Sequence, residues 1–173
     1  MRIIEMPNHV PDVPEISNDA VRKILEASGI KYLITLPESP YEVLLKDLVN
    51  KQSIKIIQVC RESEAMGICS GLTYGGEKTA LLCSFKGLYN AIDSLIGVAI
   101  RTESSFLMLI SDGNAPMRKA HTETEGGIFT TEFLKVMGIP YFVVESDADL
   151  HYISEALEQT KNSTKPVAVV LRW

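Results

Sequence analysis

The 173-residue sequence lacks any apolar run near the roughly 20 residues that a membrane-spanning helix requires. Its first residues carry one arginine but no long apolar core, so we expect no secretory signal. It also lacks an excess of positive charge, because 22 acidic residues outnumber 17 basic ones. A net charge of -5 gives no general attraction to nucleic acid or to an anionic membrane, and we expect neither as a partner.

Redox and metal motifs are missing too. The three cysteines, Cys60, Cys69 and Cys83, have no CxxC spacing and all lie in apolar segments. We expect buried thiols in a reducing cytoplasm. The three histidines are far apart in the sequence, so we predict no metal site on this chain. Neither GxGxxG after the first strand nor GxxxxGK[ST] occurs, which argues against the common nucleotide-binding loops.

What is present is an alternation of apolar segments with segments of helical periodicity. Residues 1–16 contain three prolines and are typical of an extended arm, and a single domain is expected over residues 17–173. The six apolar segments are KYLITL, IKIIQVC, TALLCS, SFLMLIS, YFVVES and PVAVVLRW. Such continuous runs indicate strands that are buried on both faces. We predict an α/β fold: a three-layer α/β/α domain with a six-stranded parallel sheet.

Local signals place several helix boundaries. The first helix is predicted to start after Ser17 or Asn18 and to stop at Gly29. The next is predicted to start at a capping box formed by Ser39 and Glu42. A loop over residues 112–127 and a helix near 130–137 are expected after the fourth strand.

Parallel sheets bind ligands beyond the carboxyl ends of their strands. The segments LPESP, CRESE and SFKGLYN and the loop 112–127 all emerge at that edge. Glu62, in CRESE, is predicted to begin a helix that ends near Tyr74. An acid in the first helical turn is favoured by the helix dipole by about 0.3–1 kcal/mol, so position alone does not give Glu62 a function.

A longer sequence pattern that begins at Glu62 indicates a function for this residue. Glu62 precedes Gly71 by nine residues, with small residues between them, and a strand then leads to the turn FKGLYN and later to GGIFTTEFLKVMGIPY. This order resembles the pyrimidine-binding (PYR) domain of thiamin-diphosphate (ThDP) enzymes. It is especially similar to the α subunit of sulfopyruvate decarboxylase and to the N-terminal domain of phosphonopyruvate decarboxylase, over residues 17–173.

The turn departs from the family pattern NSGLGN. Phe85 and Lys86 replace the small polar pair before Gly87, and Tyr89 replaces a glycine. In the turn after the first strand, a leucine stands before Pro37 where family members usually have a glycine. These departures concern the side that faces cofactor and substrate, so the substrate can differ from those of both named enzymes.

The resemblance implies a role for Glu62. In the family, one glutamate hydrogen-bonds a ring nitrogen of the aminopyrimidine and favours the tautomer that takes the proton from the thiazolium carbon. Glu62 would be that catalytic residue. The resemblance also implies cofactor contacts by Pro37, Phe85, Gly87 and Asn90, with Gly87 allowing close backbone approach. Asn90 can equally cap its own helix.

The family's diphosphate and metal ion are held by a second domain that carries GDG and a downstream asparagine. The stretch Ser111-Asp112-Gly113 lacks the first glycine, and no asparagine pair follows at the right distance. The resemblance therefore implies a partner β subunit, with ThDP and Mg²⁺ bound between the chains, in a hetero-oligomer with at least two copies of each chain.

The expected substrate is a small 2-oxo acid that is decarboxylated. The candidate substrate-binding residues are Glu38, Ser39, Lys86, Arg118, Lys119 and His121. The last three belong to the loop 112–127, for which a solvated loop without a binding role is the favoured interpretation. Two alternatives remain open at this point: a ThDP-dependent carboligase subunit, and a cofactor-free binding or regulatory module that retains only the fold.

Overall fold

The computed structural model describes residues 16–112 and 125–172. Its strands are β1 Tyr32–Thr35, β2 Lys55–Gln58, β3 Thr79–Ser84, β4 Leu107–Ser111, β5 Tyr141–Val144 and β6 Val167–Leu171. Its α-helices are α1 Asn18–Ala27, α2 Glu42–Lys51, α3 Glu62–Tyr74, α4 Phe85–Asn90, α5 Ile92–Ser94, α6 Glu125–Val136 and α7 His151–Thr160. A π-helical segment, Leu95–Ile100, continues α5, and short 3-10 turns cover Ser39–Tyr41 and Asp147–Asp149.

The six strands form one parallel sheet in the order β2-β1-β3-β4-β6-β5. Each of the two cores contains side chains from one face of this sheet. Along β3, for example, Ala80 and Leu82 contribute to one core, whereas Leu81 and Cys83 contribute to the other. This explains why the strands appear as continuous apolar runs.

Helices cover both faces. One core combines the sheet with α1, α2 and α7, through side chains such as Leu25, Leu48 and Ile153. The other combines it with α3, α4, the π-helical segment and α6, through side chains such as Met66 and Leu134. The predicted three-layer α/β/α architecture is confirmed. Ile16, the last residue of the predicted arm, is buried in the first core, while residues 1–15 lie outside the described residues.

Three local predictions are corrected. Helix α6 begins at Glu125, inside the predicted loop 112–127. No capping box forms at Ser39, because a 3-10 turn, in which the N–H of Tyr41 donates to the carbonyl of Glu38, precedes α2. Cys69 and Cys83 are buried as predicted, but Cys60 is exposed, because it follows the edge strand β2 rather than a central one.

Over the described ranges, no helix has the length and apolar character that crossing a bilayer requires.

The start of α1 is fixed by Ser17. Its hydroxyl oxygen accepts the N–H of Ala20 at 3.3 Å, and its own N–H donates to Asp147 Oδ1 at 2.7 Å. We expect Ser17→Ala to lower the free energy of unfolding by about 1 kcal/mol, because it removes the cap and keeps the backbone bond. Urea unfolding of the purified protein measures this. Ser154→Ala, on the exposed side of α7, is the control; an equal loss in both variants would contradict the capping role.

Candidate functional site at the carboxyl edge of the sheet

Glu62 begins α3 just beyond the end of β2, and its side chain is only 4% exposed. The nearby Glu64 is exposed, and its Oε2 accepts the backbone N–H of Cys60 at 3.1 Å. Glu64 therefore makes the local contact expected of an acid at a helix start. The carboxylate of Glu62 instead contacts α4, so helix capping does not explain its burial.

The contact with α4 involves a glycine and an amide. A Cβ atom added at Gly87 would lie 2.5 Å from Glu62 Oε1 and 2.8 Å from its Cδ. Only a residue without a side chain fits there while Glu62 keeps its position. Three residues later on α4, Asn90 Nδ2 donates to Glu62 Oε2 at 3.3 Å. The predicted site residues Glu62, Gly87 and Asn90 are thus in direct contact.

Helix α4 corrects the prediction of a turn at FKGLYN. Ser84, the last residue of β3, caps this helix: its Oγ accepts the N–H of Gly87 at 3.2 Å. The same hydroxyl donates to Glu38 Oε1 at 2.9 Å. The cap and the packing of Leu88 in the core outweigh the low helix propensity of glycine. Ser84 joins the Glu38 and Gly87 segments, and no motif had singled it out.

Glu38 lies in the turn after β1. Partial burial raises the pKa of its carboxyl group above the usual glutamate value, and the negative charge of Glu62 adds to this effect. The hydrogen bond from Ser84 and the positive charge of Lys86 oppose it. Two carboxyl groups and one ammonium group therefore interact at this edge of the sheet.

Four of the predicted site residues line one open cleft of about 770 Å³ beside α2: Pro37, Glu38, Ser39 and Lys86. Lys46 and Glu42 of α2 line it too, joined by a salt bridge of 2.6 Å. A second cavity, of about 450 Å³, lies at the opposite edge between α1 and α7 and contains none of the predicted residues. The cleft, not that cavity, adjoins Glu38 and therefore the candidate site.

The remaining predicted site residues are Phe85 and three residues of the loop 112–127. Phe85 is partly buried, and its ring makes a T-shaped contact with the ring of Tyr89. Arg118, Lys119 and His121 lie outside the described residues. Within those residues, no three histidine, cysteine or acidic side chains are grouped as a metal site requires.

A second polar cluster at this edge was not foreseen. Asp112, directly after β4, accepts the hydroxyl of Thr130 at 3.2 Å, and the Thr130 and Tyr89 hydroxyl oxygens are 3.3 Å apart. Asp112 is 1% exposed and Thr130 fully buried. In the sequence, Asp112 stands out only as part of the incomplete GDG stretch at the end of a buried strand, and nothing links it to Thr130 or Tyr89.

Comparisons with known proteins place this geometry in context. No protein-family model matches the chain. The sulfopyruvate decarboxylase subunit alpha of Methanococcus maripaludis is 31% identical over 156 residues, which cover 90% of this chain and 93% of that protein. The sulfopyruvate decarboxylase of Methanosarcina acetivorans is 25% identical over 153 residues, which cover 88% of this chain but only 39% of that protein.

Among solved structures, the chain is similar to the thiamine diphosphate-dependent 4-hydroxybenzoylformate decarboxylase of Rhodococcus jostii RHA1, with a TM-score of 0.70 and 15% identity. The match covers 90% of this chain and 29% of that one. At this identity the likeness concerns the fold, and the chain spans less than a third of the solved protein.

The contact between Gly87 and Glu62 can be tested by substitution. We expect Gly87→Ala to lower the free energy of unfolding by about 1–3 kcal/mol, because the new methyl group must displace a buried carboxylate. Gly71→Ala is the matched control, since an added Cβ there meets nothing within 4 Å and alanine suits a helix. Adding Glu62→Ala to Gly87→Ala should recover part of the loss. Equal effects at both glycines would contradict the contact.

The shifted pKa of Glu38 predicts a pH dependence of stability. The folded protein binds this proton more tightly than the unfolded chain, so the protonated group stabilises the fold at low pH, and that contribution is lost as pH rises through the raised pKa. Glu38→Gln remains neutral throughout. Its stability relative to the unmodified protein should therefore increase between about pH 4 and 7.

Unfolding in urea across that range measures the difference. Glu42→Gln should show the opposite trend at lower pH, because the salt bridge with Lys46 lowers the pKa of Glu42 and the stability it contributes is lost as pH falls below about 4. A difference for Glu38→Gln that is flat or falls with pH would contradict the assignment.

Proposed function

Because the chain belongs to the family of sulfopyruvate decarboxylase α subunits, we propose that it is the pyrimidine-binding subunit of a split ThDP-dependent 2-oxo acid decarboxylase. The observation that carries the proposal is the buried Glu62 carboxylate, held between the backbone of Gly87 and the amide of Asn90. The name of the relatives points to sulfopyruvate as the substrate to test first.

The residues present fit the pyrimidine end of ThDP. A buried carboxylate is costly unless hydrogen bonds compensate it. Among the described residues, the hydrogen bond that reaches Glu62 comes from Asn90, at the long distance of 3.3 Å. A ring nitrogen that shares a proton with the carboxylate would supply the stronger partner. The absence of a side chain at Gly87 leaves the backbone open to close approach.

In this proposal ThDP supplies the electron sink that accepts the electron pair when the carboxylate of a 2-oxo acid is lost. The protein residues bind and orient the cofactor. Glu62 would bind the aminopyrimidine and hold or release a proton at its ring nitrogen. Asn90 would keep the Glu62 carboxylate in place, while Pro37, Phe85 and Gly87 would form the surface against the cofactor.

The cleft beside α2 is the proposed entrance for the substrate. Lys86 is exposed there and would attract an anionic substrate, while Glu38 and Ser39 offer hydrogen-bonding groups. The proposed contributions of Arg118, Lys119 and His121 remain predictions from the sequence.

The proposal requires a partner. Two facts support one: the relatives of similar length are named as alpha subunits, and the chain spans only 39% of the M. acetivorans protein. The remainder of that protein is long enough for a second domain. We propose a β subunit that holds the diphosphate and Mg²⁺, in a cytoplasmic assembly with at least two copies of each chain.

The contacts of Glu62 with Gly87 and Asn90 argue against a cofactor-free module, for which a buried carboxylate would be a cost without benefit. Carboligation uses the same cofactor chemistry and is distinguished by the product that forms.

Glu62→Gln in the complex of both subunits tests the catalytic role. At saturating ThDP, release of CO₂ from sulfopyruvate should fall by at least about 100-fold, because an amide cannot exchange a proton with the ring nitrogen. The thermal transition should stay within a few degrees of the unmodified complex.

Glu64→Gln is the matched control, since Glu64 is exposed on the same helix turn, and its rate should be nearly normal. A near-normal rate for Glu62→Gln would refute the proposed mechanism. Rapid ThDP-dependent formation of a coupled product in place of an aldehyde would support carboligation.

A further inference from the structure

Two of the residues that depart from the family pattern, Phe85 and Tyr89, are in contact with each other. Their ring centroids are 5.9 Å apart at 71°, and Tyr89 makes a similar edge contact with Phe133 of α6, at 5.8 Å and 75°. These are favourable geometries for aromatic pairs. The two replacements and Phe133 thus form a row of three rings that joins α4 to α6.

The hydroxyl of Tyr89 extends this row into a chain of hydrogen bonds. Thr130 has one hydroxyl proton, which it donates to Asp112 Oδ1 at 3.2 Å. The Tyr89 hydroxyl, 3.3 Å from Thr130 Oγ1, must then be the donor in that contact. Burial raises the pKa of Tyr89, the hydrogen bond with Thr130 opposes this and the charge of Asp112 adds to it; the net rise keeps the proton on Tyr89.

The acceptor end of the chain is fixed to the sheet. The N–H of Asp112 donates to the carbonyl of Leu171 in β6 at 3.0 Å. Its carboxylate oxygen Oδ2 faces Arg172 Nε at 3.6 Å. The hydrogen bonds therefore run from α4 through α6 to two central strands.

The donor end lies beside the candidate site. Tyr89 is between Gly87 and Asn90, the two α4 residues that contact Glu62. Helix α4 has only six residues, and beyond Ala91, whose backbone is not helical, the chain continues directly into α5. Ser84 anchors its start. At its other end the N–H of Ala91 donates to the carbonyls of Gly87 and Leu88, and Tyr89 adds the side-chain contacts that join this end to α6.

We propose that the Tyr89–Thr130–Asp112 hydrogen-bond chain positions α4 and thereby sets the contacts of Gly87 and Asn90 with Glu62. Tyr89 is a positioning residue and acts through Glu62, so its effect on catalysis rests on the function proposed above. The effect of Tyr89 on the position of α4 is independent of that function.

The first experiment measures backbone amide exchange in the complex of both subunits without ThDP. Tyr89→Phe keeps the ring and removes the donor, and exchange over residues 85–90 should rise roughly tenfold. Exchange over α3, residues 62–74, should stay the same. Tyr74→Phe is the matched control, because its hydroxyl donates to the carbonyl of Thr102, away from the site. Thr130→Val should reproduce the effect of Tyr89→Phe.

The second experiment adds ThDP and follows the exchange of the thiazolium C2 proton together with steady-state turnover. In Tyr89→Phe, both the C2 exchange rate and kcat should fall about fivefold, with KM unchanged. Combination with Asn90→Ala should be less than additive, because both substitutions act through the Glu62 carboxylate.

Unchanged exchange over residues 85–90, or an equal rise in every element, would overturn the proposed anchoring. Faster α4 exchange with unaltered C2 exchange would overturn the positioning role. Failure of the proposed function, in contrast, would appear as a Glu62→Gln complex with normal turnover and would leave the amide exchange result intact.

Discussion

The close approach of the Glu62 carboxylate to the backbone at Gly87 constrains the geometry of the whole site. It requires α3 to begin where β2 ends and α4 to begin where β3 ends, with a residue lacking a side chain at the point of contact. The sheet order meets this requirement. Strand β1 lies between β2 and β3, so the turn that carries Glu38 lies between the starts of the two helices. Three neighbouring strand ends therefore deliver their side chains to one edge.

The charges at this edge suit a site that is completed by another molecule. Glu62 is buried, and Glu38 is partly buried with a pKa that burial raises and that the charge of Glu62 raises further. Ser84 joins the Glu38 side to the α4 side. Such an arrangement costs stability in an isolated chain. A cofactor ring and a partner subunit that cover this edge would offer Glu62 further hydrogen-bond partners, which would offset the cost of its burial.

Much of the fold could be predicted, because continuous apolar strands and well-marked helix boundaries are local signals. The position of Glu62 could also be predicted, since the change from an apolar run to a helix is visible in the sequence. The contact of Ser84 with Glu38 could not, because it joins residues 46 positions apart and depends on which strands are neighbours. The same holds for Tyr89 and Thr130, which are 41 positions apart. The prediction that Cys60 is buried was wrong, because the apolar segment around it does not reveal that β2 is an edge strand.

Isolation of the tagged chain from its native host tests the central claim most directly. The account predicts a companion subunit of comparable size in fixed ratio, with ThDP in roughly equal amount to each pair of chains. Recovery of the chain alone, without cofactor, from cells that express it well would contradict the account, and Glu62 would then be a buried acid at a helix start without a catalytic role.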